Sequence, residues 1–103
     1  MTDLRTQTLD YLSRLGKNPA TAFRENGVAE MVKDILAELG LEHQQEAFGN
    51  IIAEVAESDP TAIPLAVVAH MDHPGFEIPA SHPDGPLNQY IATAIGGVPQ
   101  SSF

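Results

Sequence analysis

The stretch Leu65-Ala66-Val67-Val68-Ala69-His70-Met71-Asp72-His73-Pro74-Gly75 sets the expected fold. Its first five residues are apolar without interruption. Continuous rather than alternating apolarity predicts a strand buried on both faces, the pattern of a central strand in an α/β sheet. The run ends in His70-x-Asp72. Residues i and i+2 of a strand point to the same side, so this imidazole and carboxylate are expected to project together. They would do so at the carboxyl end of the strand, where α/β sheets place their ligands.

Toward the N-terminus the pattern turns helical. Leu4, Thr8, Tyr11, Leu12 and Leu15 recur at helical spacing and predict an amphipathic helix over residues 3–15, with Gly16 as its stop. Lys17-Asn18-Pro19 reads as a linker, because the residue before proline is pushed out of the helical region. Val28, Met31, Val32, Ile35, Leu36 and Leu39 form a cleaner stripe and predict a helix over residues 27–39. Asn26 or Gly27 is expected to cap its start and Gly40 to end it. Residues 42–47 and 50–55 read as two strands around the turn Phe48-Gly49-Asn50. Beyond His70, Phe76-Glu77-Ile78 leads into a Pro-rich loop. A further strand is expected over residues 89–94, before Gly96-Gly97-Val98-Pro99 breaks the pattern. The expected class is α/β, with N-terminal helices packed on a partial mixed sheet.

Composition narrows the functions. The chain has 103 residues, a formal charge of −9 and no Cys. Its length allows one domain. Without Cys there is no disulfide framework, thiolate metal site or thiol nucleophile. The negative charge argues against nucleic acid and against an anionic membrane surface. No apolar run approaches the ~18 residues of a membrane span, and the start has no signal-peptide pattern, so a cytoplasmic protein is expected. The charge is uneven: residues 1–33 sum to +1, whereas residues 34–103 hold ten acids, no Lys or Arg, and sum to −10. That acidic part is a solvated surface, a cation site, or a face that meets a partner.

His70-x-Asp72 has two readings. One is a histidine paired with a carboxylate for structural reasons. The other is a metal ligand whose tautomer and basicity are set by the carboxylate behind it. His43 lies in a polar strand and His82 in a loop, so neither is expected to bind a metal.

Ala69-His70-Met71-Asp72 followed by Pro74-Gly75-Phe76 resembles the first metal-ligand motif of the co-catalytic dizinc aminopeptidases. The branch it resembles is that of the glutamyl-aminopeptidase and cellulase-M-like peptidases. Gly49-Asn50-Ile51-Ile52-Ala53 and the order of elements resemble that branch too, over residues 1 to about 98. The resemblance implies that His70 is a zinc or cobalt ligand and that Asp72 is the catalytic-site carboxylate orienting it. It also implies two divalent ions and a peptide substrate attacked at its N-terminus. His73-Pro74 departs from the pattern, where an acidic and an aliphatic residue are more usual, and His73 is left out of the metal shell.

The remaining ligands and the general base of such enzymes have no counterpart here. Glu77, Asp84, His73 and His82 are the only acids and imidazoles after Asp72, and none matches a family position. A catalytic zinc takes about three protein ligands. Residues 1–103 are therefore expected to be a single partial domain, like the first part of a zinc-exopeptidase catalytic domain. Such a chain is expected to be inactive alone and to bind no metal tightly. It should associate with itself or with a missing C-terminal segment. The alternative is a non-catalytic acidic α/β module that binds a partner chain.

Overall fold

A computed structural model of the chain describes residues 3–55, 59–78 and 92–97. Helix α1, Leu4–Gly16, starts where the Asp3 side chain accepts the Thr6 N–H at 3.0 Å. The Thr6 hydroxyl donates to the same carboxylate at 2.8 Å. Both bonds favour the anion and hold Asp3 below its ordinary value of 3.8. The helix ends at Gly16 as expected, but through its neighbours. Lys17 keeps right-handed geometry as C-cap, and the Asn18 side chain donates to the Arg14 carbonyl at 2.9 Å.

Helix α2, Asn26–Glu38, is capped by Glu25 without a side-chain hydrogen bond, so neither Asn26 nor Gly27 acts as its N-cap. Its far end is a Schellman turn, in which Gly40 N–H donates to the Ala37 carbonyl at 3.0 Å and Leu41 N–H to the Leu36 carbonyl at 2.9 Å. Gly40 has φ +68, a conformation that glycine adopts without the Cβ penalty other residues meet.

The two helices pack against each other. Val28, Ala29 and Ile35 of α2 are buried, and Ala20 in the connection is buried with them. Tyr11 and Leu15 of α1 face this cluster and, with Val32, Ile35 and Leu36, line an open apolar hollow of about 140 Å³. The expected α1 stripe is only half used. Leu4 and Leu12 stay exposed, because one facing helix covers Tyr11 and Leu15 but not the flank. Arg14 clamps the far ends of the pair through a two-pronged bond to Glu38, at 2.7 and 2.6 Å. The guanidinium holds the Glu38 carboxyl below its ordinary value of 4.5.

Strands β1, His43–Gln45, and β2, Ile51–Ala53, form the expected hairpin, antiparallel with Gln44 opposite Ile52. Glu46 closes its turn by accepting both the backbone N–H and the side-chain amide of Asn50, at 2.9 and 3.0 Å. Strands β3, Gly75–Glu77, and β4, Thr93–Ile95, form a second antiparallel pair. The expected 89–94 strand thus has its described part at β4, and the Pro-rich loop lies outside the described residues.

The chain is a mixed α/β protein, and among the described residues its strands form two separate two-stranded sheets rather than one partial mixed sheet. The expected central strand is the main correction. Residues 65–69 form no strand and pair with nothing in the described residues. Leu65, Val67 and Val68 are each about nine-tenths exposed, and so is Ile63 just before them. A run apolar on both faces needs cover on both faces. The apolar face of α2 is spent on α1 and β2, and no described strand flanks the run.

Candidate functional site

His70 follows the exposed run directly, and Asp72 lies two residues on, ahead of β3. Neither lies in a strand, and the two side chains meet within an unpaired segment. His70 Nδ1 stands 3.0 Å from Asp72 Oδ1 and 2.8 Å from the Asp72 backbone carbonyl. Both partners are acceptors, so Nδ1 must carry the proton. The Nε2 lone pair of the neutral ring is then available. The His70 side chain is 83% exposed, so a solute can reach it from outside.

This segment is held from the helical side. His73 N–H donates to the carbonyl of buried Ala20 at 2.8 Å. Gly75 lies so close to Thr21 that a Cβ there would stand 2.4 Å from Thr21 Cγ2. Arg24 reaches Glu77 of β3 at 3.0 Å. The connection between α1 and α2 therefore seats the segment that carries His70 and Asp72. Sequence reasoning missed this, because Ala20 and Thr21 contribute a carbonyl and a small side chain, neither of which has a pattern of its own. The neighbouring Phe23 was missed as well. It is 91% exposed and has φ +66, with its N–H held by the Glu25 carboxylate at 3.0 Å.

Among the other histidines, His73 is exposed with Nδ1 against the Pro74 carbonyl at 2.9 Å. His43 is half-buried, and its Nδ1 meets the Leu41 carbonyl at 3.0 Å. His82 and Asp84 lie outside the described residues. Just upstream of the run, Asp59 accepts both the N–H and the hydroxyl of Thr61, which lowers its carboxyl below the ordinary 3.8.

The donor set does not complete a metal centre. Among the described residues no three His, Cys, Asp or Glu side chains stand together in a way that could hold an ion. His70 offers one nitrogen, and Asp72 is engaged in orienting it. A zinc that activates water needs about three protein ligands, so no hydrolytic step follows from these side chains. No helix of the described residues is long and apolar enough to cross a membrane. The chain matches no family model, no curated protein and no solved structure.

Proposed function

We propose that the chain is metallo-aminopeptidase-like, supplying one metal-binding histidine, His70, oriented by Asp72, and lacking peptidase activity by itself. The observation that supports this reading is the bond from His70 Nδ1–H to the Asp72 carboxylate at 3.0 Å, which leaves Nε2 as the available donor. Metal-bound histidines usually carry such a carboxylate behind them, where it fixes the tautomer and raises ligand basicity. The Ala69-His70-Met71-Asp72 motif and the order of elements around it point the same way. Peptide hydrolysis would need further ligands and a general base beyond those found among the described residues. In the full site two zinc or cobalt ions would act, the substrate would be a peptide N-terminus, and the compartment would be the cytoplasm.

The test is metal titration followed by calorimetry and histidine ¹⁵N spectra. Zinc or cobalt should bind weakly, at Nε2 of His70. His70→Ala should abolish that binding, and Asp72→Ala should weaken it by about tenfold or more. Binding unchanged by His70→Ala would refute the assignment, and so would a resting Nε2–H tautomer. Aminoacyl-nitroanilide hydrolysis should be undetectable with either metal; turnover lost in His70→Ala would show the site to be complete after all.

A second reading, a non-catalytic acidic module that binds a partner chain, draws on a different observation: the apolar run before His70 is open to solvent.

A further inference from the structure

The exposed run has a built-in edge preference. In an extended chain, successive residues direct their backbone N–H and C=O groups to opposite edges. Residues 63, 65, 67 and 69 serve one edge, and residues 64, 66, 68 and 70 serve the other. Pro64 has no N–H, so the even edge is broken while the odd edge is intact. Within the described residues neither edge is used, since no backbone hydrogen bond involves residues 63–69.

The run is also self-complementary. When two copies are laid antiparallel about Val67, Leu65 falls opposite Ala69, Ala66 opposite Val68, and Val67 opposite itself. Each large side chain then meets a small one, with the equal pair at the centre. If Val67 forms a hydrogen-bonded pair with its counterpart, Leu65 and Ala69 do as well. Pro64 then lands at a non-hydrogen-bonded position, where its missing donor costs nothing.

Charge selects the same segment. The chain carries −9, so two copies repel wherever acids meet. Strands β1, β2 and β3 contain or adjoin Glu42, Glu46, Glu54 and Glu77. Residues 60–69 contain no charge at all.

We infer that residues 65–69 are a self-pairing strand through which two copies of this chain form a closed, two-fold antiparallel dimer along the odd edge. Ile63, Leu65, Val67 and Val68 of two copies offer up to about 800 Å² of apolar side-chain surface, at roughly 100 Å² each. That falls below the ~1,200 Å² at which stable specific interfaces begin, so the dimer is weak and reversible. The isologous geometry closes at two copies rather than growing into a filament. The inference is independent of the metallopeptidase reading, because it uses neither the His70 ring nor Asp72.

Proline substitution tests the edge directly. The 103-residue chain, Val67→Pro and Val68→Pro are compared by analytical ultracentrifugation from micromolar to millimolar concentration. Val67 and Val68 are both about nine-tenths exposed, so helix content by circular dichroism should be the same in all three chains. The parent should show a monomer–dimer equilibrium. Val67→Pro removes hydrogen bonds at the centre of the pair and should raise Kd about tenfold or more. Val68→Pro leaves the odd edge whole and should stay within about threefold of the parent. A parent that is monomeric throughout, assembly beyond a dimer, or equal effects of the two prolines would each overturn the inference.

Discussion

Gly96 shows how much a single position can demand. It has φ +110, a region that side chains rarely enter, and a Cβ there would meet Pro74 Cα at 2.9 Å. Pro74 is the residue that leads into β3, so Gly96 allows the end of β4 to close over the start of its partner. Gly96→Ala should destabilise this pair by about 1–3 kcal/mol, read in hydrogen exchange as lost protection of the amides that cross between β3 and β4. Normal protection in the variant would show that the approach is not structural. The sequence marked Gly96-Gly97 as a break, yet nothing in it specifies which distant residue needs the space.

At the scale of elements, the helix pair carries most of what is buried. Ile35 is 8% exposed and touches both the core and the hollow beside Tyr11. Ile35→Ala should cost about 2 kcal/mol or more, visible as loss of helical ellipticity at lower temperature. The Arg14–Glu38 clamp adds a pH dependence. Glu38 is held below 4.5 when folded, so its contribution is fully present above that value. It is lost as pH falls through the lower folded value. Glu38→Gln should therefore melt at a lower temperature than the parent at neutral pH, with the gap closing as pH falls below the ordinary carboxylate value of 4.5. A gap that persists at low pH would assign the difference to packing rather than charge. Both helices and the first hairpin were legible to within a few residues, because their signals are local: a 3.6-residue stripe, Gly40, and Gly49-Asn50. The burial of Ala20 and the exposure of Leu4 and Leu12 were not, because they depend on how much surface one helix can cover.

For the whole molecule, the Cα radius of gyration is 18.4 Å, against about 13 Å for a compact chain of this length. Small-angle scattering at high dilution should give a value near the larger figure, and a value near 13 Å would mean that the apolar run folds inward. This is also where sequence reasoning was furthest from the structure. Apolarity at Leu65, Val67 and Val68 states that the run favours burial, but it does not say which surface supplies the cover. The pairing of His70 with Asp72 was legible from their spacing, although the segment that carries them is in no strand. The same open run has a consequence for handling the protein. No Lys or Arg follows Lys33, so trypsin has no site in the last 70 residues. Elastase, which cuts after small apolar residues, meets Ala66, Val67 and Val68 in the open. Cleavage there severs the only covalent route from the helices to His70. Among the described residues, the His73–Ala20 bond, the Thr21–Gly75 contact and the exposed Arg24–Glu77 pair then join the halves. Exposed ion pairs and a single hydrogen bond hold little, so a nicked chain should come apart on a sizing column into a helical piece and a shorter piece that carries His70.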